Sequence, residues 1–394
     1  MAEAVRTTGD MGFFVYPIGG GTTPECGFKV AGPGITLSTA NLNRLIDYPA
    51  DDMTVTVEAG MTIGRLNSIL AEKRQWLPVD VPFPDRATVG GVIATNAAGP
   101  RRFAYGTMRD YLLGFTAVDG VGIVFSGGGR VVKNAAGYNM CRLMAGSRGT
   151  LGIITQATLM VRPLPEAFAL LTCQVPDFAL AEKLLANLVR LPVHPVAIEL
   201  QAGRHREGNP LFGPLADGNV ARLCVGFEGS DVEVEWMLAR LSEEWTAVGV
   251  ASSPLSFKSQ DDTPWRWMAE FPANETVNVL PGKLVETVAE LLKGSPDCAI
   301  QAHAGDGIIR LARTIQDHRP AAAFTPGEVD EDAPIPPEMR VMRAIKERFD
   351  PKDILNPGLL AAVGQTLVPA TDDAASAADG NVCPTGNTIA PLLL

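Results

Sequence analysis

Residues 17–23 read Pro-Ile-Gly-Gly-Gly-Thr-Thr, so that Ile18, Gly19, Gly20, Gly21, Thr22 and Thr23 follow one another without interruption. Three successive glycines let backbone N–H groups converge into a nest for an anion, and the two threonine hydroxyls add donors. The chemistry of such a loop is phosphate binding, with a plain strand-joining turn as the alternative. A second glycine loop, Gly146-Ser147-Arg148-Gly149-Thr150-Leu151-Gly152, has the same potential, although a glycine helix C-cap running into a strand explains much of it. Between them lies Thr88–Gly99 (TVGGVIATNAAG), followed by Pro100, Arg101 and Arg102. Its side chains are almost all small, which suits either the flat face of a bulky aromatic group or the close packing of a helix.

Proton abstraction from an anionic substrate needs a general base and a cation to hold the anion. His303 and Arg310, in HAGDGIIR, are candidates of those two kinds. His303 also reads as a metal ligand or an ordinary polar residue at a strand end, and Arg310 as a surface charge. Arg101 and Arg102 are further cations able to hold a carboxylate or a phosphate. The six cysteines, Cys26, Cys141, Cys173, Cys224, Cys298 and Cys383, are dispersed, with no CxxC pair and no His at ligand spacing. No zinc, iron–sulfur or other metal site is expected.

The flanking elements decide how the glycine loops work. In a Rossmann or P-loop unit a strand enters the loop and a helix leaves it, its N-terminus holding the phosphate. Phe13 to Tyr16 reads as a strand, but the residues after Thr23, PECGFKVAGPG, cannot form a helix. The second loop has helix-like Tyr138 to Ala145 before it and strand Ile153 to Val161 after it, the reverse order. The phosphate must therefore be held by the loops themselves.

After Arg162-Pro163-Leu164-Pro165 the texture changes from glycine-rich to alternating strands and amphipathic helices. Strand Phe168 to Val175, helix Asp177 to Arg190, strands Val196 to Gln201 and Val220 to Phe227, and helix Asp231 to Val248 give β-α-β-β-α order. A similar run follows with strand Thr276 to Leu280, helix Gly282 to Lys293, and strands Cys298 to Ala302 and Gly307 to Ala312. An antiparallel sheet with helices on one face is the expected packing. An acidic, proline-rich loop at 327–337 precedes a helix from Glu338 to Phe349, and the last thirty or so residues read as a mobile tail.

A chain of 394 residues with 46% apolar and 20% charged residues is globular and multidomain. Its net charge of −11 and pI near 5.0 disfavour nucleic acid as a partner. The first residues lack the pattern of a signal peptide and no run of 18 apolar residues follows, so the expected compartment is the cytoplasm.

PIGGGTT (17–23), VEAG (57–60), PFPDRATVGGVIATNAAG (82–99), YGTMRDYLLG (105–114), KNAAGYNMCRLMAGSRGTLGIIT (133–155) and ILNPG (354–358) together resemble the vanillyl-alcohol oxidase and p-cresol methylhydroxylase (PCMH) superfamily of flavoproteins. Within it, AGPRR (98–102) and GGRVVKNAAGYNMCRLMAGSRGTLG (128–152) look most like the FAD-binding E subunits of bacterial glycolate oxidases, which work beside a catalytic flavoprotein subunit and an iron–sulfur subunit. The resemblance implies an α+β fold: a two-subdomain PCMH-type FAD-binding domain over 1–163, an antiparallel, ferredoxin-like cap over 164–337, a C-terminal helix and return segment over 338–362, and a disordered tail over 363–394. It implies that Ile18 to Thr23 hold the pyrophosphate, that Thr88, Val89, Gly90, Gly91, Thr95, Asn96, Ala98 and Gly99 face the isoalloxazine and ribityl chain, and that Gly149, Thr150, Gly152, Ile153 and Ile154 hold the nucleotide half.

Relatives that attach FAD covalently use a His near the first loop; none precedes His194 here, so non-covalent FAD is expected. Lys133 and Tyr138 lie in a segment the family places against the flavin. HAGDGIIR resembles the HAGDGNLH of catalytic relatives, with Ile308 and Arg310 in place of Asn and His. Relatives also carry a strand and a fuller helix before the first glycine loop, which predicts a missing edge strand or a mis-set start here. The implied function is glycolate oxidation to glyoxylate within a complex, peripheral to the inner membrane through partners, since no cysteine cluster relays the flavin's electrons onward. A self-contained 2-hydroxy-acid oxidase and a non-catalytic FAD-binding assembly subunit remain the alternatives.

Overall fold

The computed structural model describes residues 1–23, 31–129, 138–204, 212–216, 218–258, 262–313 and 337–359. Helix α1 (Ala2–Asp10) leads into β1 (Phe14–Ile18), which pairs in parallel with β2 (Gly34–Ser38). Then come β3 (Leu45–Asp47), β4 (Thr54–Glu58), α2 (Ile63–Ala71), β5 (Gln75–Trp76), α3 (Val89–Thr95), α4 (Arg102–Tyr105), α5 (Met108–Tyr111), β6 (Leu112–Val118), β7 (Val124–Gly128), α6 (Met140–Met144), β8 (Ile153–Met160) and β9 (Arg162–Pro163). Strands β3-β4-β8-β6-β7, in that order, form an antiparallel sheet. The β-branched run Thr54-Val55-Thr56-Val57 suits a central strand, and every residue of β4 is buried. Thr62 caps α2 by accepting the N–H of Arg65 at 3.3 Å, and Ile63, Leu66 and Leu70 turn its apolar stripe into the core.

The second sheet uses β10 (Ala167–Val175), β11 (Ala197–Gly203), β12 (Ala221–Gly229), β13 (Ser252–Lys258), β14 (Glu275–Asn278), β15 (Ala299–His303) and β16 (Ile308–Ala312). Its order is β13-β10-β12-β11-β15-β16-β14, antiparallel throughout. Helices α7 (Phe178–Leu188), α8 (Asp231–Ala247) and α10 (Leu284–Gly294) bury Leu184, Leu241, Trp245 and Val288 against one face. The expectation of helices on one face holds for these three alone. Helix α9 (Thr263–Ala269), which sequence periodicity misses, lays Trp265 and Met268 against the other face, beside Phe168 and Leu170.

Helix α11 (Pro337–Phe349) precedes a return segment that comes back to the start of the chain. Leu355 bridges Val15 in parallel, and Val5, Val15, Val118, Ile153, Ile354 and Leu355 share one core cluster. Helix α1 thus precedes the strand expected from Phe13 to Tyr16. The acidic loop at 327–336, the tail at 363–394, Lys133, Cys26 and Cys383 lie outside the described residues.

Candidate functional site

Three segments far apart in sequence build one cleft: the end of β1 with the loop after it, helix α3, and the loop from Arg148 into β8. Asn356 of the return segment closes it. The packing explains the glycines. A Cβ on Gly20 would sit 1.7 Å from the carbonyl oxygen of Arg86, so only glycine lets the first loop lie against the approach to α3. Gly149 has φ +73° and would place a Cβ 2.9 Å from the Pro17 ring. Thr88 is the N-cap of α3 and accepts the N–H of Gly91 at 3.3 Å, while Asn96 ends the helix in the left-handed conformation, φ 49°. The small-residue segment is therefore a short helix that presents Gly90, Gly91, Val92, Ala94 and Thr95 as a cleft wall.

Of the residues singled out for a cofactor, Ile18, Gly19, Gly20, Gly21, Thr22, Thr23, Thr88, Gly90, Gly91, Thr95, Gly149, Gly152, Ile153 and Ile154 line this cleft. Val89, Asn96, Ala98, Gly99 and Thr150 are set behind it. Val89 is wholly buried in the core, Asn96 accepts the Arg109 N–H at 3.0 Å, Gly99 packs on Asp80, and Thr150 donates to the Ser147 carbonyl at 2.7 Å. Pro17, Thr39, Val92, Ala94, Arg148 and Asn356 also line it and were not singled out. The cleft is open to solvent. Among the described residues the lining holds one arginine and no carboxylate, although the chain as a whole carries −11. Arg86 adds a second cation at the rim, its Nη2 donating to the Gly20 carbonyl at 3.2 Å. Such a wall of hydroxyls, backbone N–H groups, small side chains and cations accepts an anion joined to a flat apolar body.

The proton-transfer candidates lie on the second sheet. His303 ends β15 with 3% of its surface exposed, and its Nδ1 lies 2.5 Å from Glu199 Oε1 on β11, where the register sets the two residues opposite each other. Glu199 is 1% exposed; burial pushes its carboxyl above the usual range, with the imidazole pulling the other way. Glu199 was not singled out. Its signal was the alternation Ile198-Glu199-Leu200-Gln201 inside a strand, two polar residues on one face of a sheet whose other face is apolar. The loop after His303 touches α4: a Cβ on Gly305 would meet the Phe103 ring at 2.2 Å, and Arg102 Nε is 3.7 Å from Asp306. The His303 loop is thereby packed against the segment that continues from α3.

The other candidates have different neighbours. Tyr138 is 97% exposed and lies outside the cleft lining. Arg310 donates to the carbonyls of Met268, Ala269 and Phe271, the last at 2.9 Å, and so satisfies the C-terminal end of α9. Arg101 holds no phosphate or substrate position. Its guanidinium is buried between the Trp76 and Trp265 rings, at 4.5 and 5.0 Å, and pairs with Asp80 at 2.5 Å and Glu228 at 2.8 Å. A cation enclosed by two carboxylates has no charge to spare for a ligand.

Residues 1–128 match the family described as FAD binding domain, and residues 334–360 match the one described as FAD linked oxidases, C-terminal domain. A D-lactate dehydrogenase of Archaeoglobus fulgidus is 30% identical over 384 residues, which span 87% of this chain and 85% of that protein. The chain belongs to the FAD-linked 2-hydroxy-acid dehydrogenase family. Glycolate oxidase subunit GlcE of Escherichia coli, another relative of this dehydrogenase, is 28% identical over 336 residues, 84% of this chain and 88% of that one. Among solved structures, alkyldihydroxyacetonephosphate synthase shares the fold at TM-score 0.65 and 20% identity, over 90% of this chain and 73% of that one. FAD is the cofactor of this dehydrogenase family, and the cleft's donors, cations and small-residue wall fit it.

Proposed function

We propose that this chain is the FAD-binding subunit of a glycolate dehydrogenase, oxidising glycolate or a similar small 2-hydroxy acid and passing the electrons to partner subunits. The observation that carries the reading is the cleft. Fourteen residues whose pattern matches flavin-binding loops converge there on a lining that, among the described residues, holds no carboxylate. When bound, FAD supplies the two-electron acceptor. The chain supplies the rest: backbone N–H groups of residues 18–23 and the hydroxyls of Thr22 and Thr23 hold the pyrophosphate, and the α3 wall lies against the ring system. Gly149 to Ile154 hold the nucleotide half by backbone contacts. His303, oriented by Glu199 through Nδ1, takes the hydroxyl proton at Nε2. No His precedes His194 and none lines the cleft among the described residues, so FAD is held without a covalent bond and leaves on mild denaturation. Residues 1–163 make the FAD-binding unit, 164–337 the cap, and 338–362 the segment returning to the first.

The subunit role rests on the dispersed cysteines, which offer no onward relay, and on the near full-length match to GlcE. Among the described residues no helix is long and apolar enough to cross a membrane, which suits attachment through partners. Mixing the holoprotein anaerobically with glycolate, first alone and then with its co-purifying subunits, tests this: the yellow colour bleaches only when the flavin is reduced. Retention of full colour in the assembled complex would refute it. A second reading, a self-contained dehydrogenase for lactate-sized acids, draws on the intact His303–Glu199 pair and the D-lactate dehydrogenase relative. Bleaching by D-lactate of the chain alone distinguishes it.

A further inference from the structure

Behind the Arg148–Gly152 wall of the cleft sits a buried cation that the proposed mechanism does not use. Lys346, on α11, is 6% exposed. Its Nζ donates to the carbonyl of Thr150 at 2.9 Å and to that of Leu355 at 2.8 Å, and it pairs with Asp350 and, at 3.2 Å, with Asp353. Asp350, 1% exposed, accepts the backbone N–H groups of Ile354 at 3.1 Å and Leu355 at 2.7 Å. One residue further, Asn356 Nδ2 donates to the Arg148 carbonyl at 2.7 Å, and the Asn356 N–H reaches the Val15 carbonyl at 3.1 Å. The carbonyls of Arg148 and Thr150, on either side of left-handed Gly149, are thus both engaged, the first by Asn356 of the return segment and the second by Lys346 of α11.

Burying an ammonium costs several kcal/mol of hydration, and a buried pair of this kind fixes an arrangement better than it adds stability. What it fixes here is a loop of the cleft. An anion laid against residues 148–152 meets two carbonyl dipoles, and unengaged they repel it. With one bound by an amide and the other by an ammonium, that repulsion is offset, while Asp350 and Asp353 balance the ammonium's own charge.

We propose that Lys346 and Asp350 are positioning residues for the cofactor, which hold the Arg148–Gly152 loop in its anion-accepting form without touching the ligand. The proposal rests on the reading of the cleft as the FAD site. It is tested by titrating FAD into the deflavinated full-length chain and its Lys346→Met, Lys346→Gln and Asp350→Asn variants, with melting of each flavin-free protein measured alongside. Lys346→Met, losing both donors and the charge, is expected to bind FAD at least about tenfold more weakly. Lys346→Gln, keeping one donor, falls between it and the parent. Asp350→Asn keeps an acceptor for one of the two backbone N–H groups and removes one of the ammonium's two carboxylate partners, and weakens binding about threefold or more; it decides the matter if Lys346→Met does not fold. Equal FAD affinity in parent and variants, or variants that melt earlier but bind FAD as the parent does, overturns the positioning role and leaves the cleft assignment standing. A parent chain that binds no FAD overturns both.

Discussion

Replacing Arg101 by Met removes a buried cation that links Asp80, on the segment before α3, to Glu228 of the second sheet. Its guanidinium binds Asp80 through Nε at 2.8 Å and Nη2 at 2.5 Å, and Glu228 through Nη1 at 2.8 Å; both carboxylates are 2% exposed. Glu228 is further held by the Tyr105 hydroxyl at 2.7 Å and Trp265 Nε1 at 3.1 Å. The methionine fills most of the aliphatic space between the two indoles, so the loss is electrostatic. Removing one partner of a buried ion pair costs about 3–5 kcal/mol, because the remaining charge stays buried without compensation. The two cation–π contacts add roughly 1–2 kcal/mol, not fully independently. Against a global stability of roughly 5–15 kcal/mol, that is about a quarter or more.

The assay is urea unfolding followed by tryptophan fluorescence, since Trp76 and Trp265 both touch the guanidinium. It is run on Arg101→Met, Glu228→Gln and the double variant. Most of the Arg101→Met loss comes from stranded charge, so the double variant should lose less than the sum of the singles by about 1.5 kcal/mol or more. Strict additivity, or an Arg101→Met loss below about 1 kcal/mol, refutes the idea that this network bonds the segment before α3 to the second sheet.

Three further outcomes follow from the same geometry. His303→Asn lowers kcat by roughly 10²- to 10⁴-fold while KM and bound FAD stay near the parent values; unchanged turnover in the assembled enzyme removes His303 from proton transfer. Glu199 has a carboxyl raised by burial, so its contribution to folding is fully present below the unfolded-state value and is lost as pH rises through the folded-state value. Glu199→Gln should therefore gain stability relative to the parent as pH rises above the ordinary carboxylate range, measured by urea midpoints, and a gain on acidification would reverse the sign. Burial pushes the Cys141 thiol up to about 11 and the Cys173 thiol up to about 12, and raises Cys224 and Cys298. All four are buried and free, so a disulfide reagent at pH 8 should leave them unlabelled until the chain unfolds, as read by peptide mass spectrometry.

Both glycine loops and their strands were legible because their signals are local. Three consecutive glycines or an apolar run such as Phe168–Val175 needs no partner to be read. What was not legible depended on distant contacts. Helix α1 buries only Val5 and Thr8, and its packing surface is completed by Ile354 and Leu355 from the far end of the chain. Strand β13 carries Pro254, which argues against a strand until its place at the sheet edge is known. The two glycines of α3 weaken it by about 1 kcal/mol each, and burial of Val89, Val92 and Ile93 makes it helical all the same. Arg101 read as a ligand clamp because its carboxylate partners, at positions 80 and 228, lie in segments that nothing local links to it.

The parallel bridge between Val15 and Leu355 sets the order of events during biosynthesis. Residues 17–23 and 148–154 leave the ribosome long before Asn356, the last piece of the cleft. The intervening stretch of about 200 residues takes roughly 10–40 s to synthesise at ~5–20 residues per second. For that interval the first sheet exists with one wall of its cleft open and the carbonyls of Arg148 and Thr150 without their donors. Flavin uptake is therefore expected as a late step, after release of the chain, and a message truncated before the codon for Leu355 should yield a colourless product.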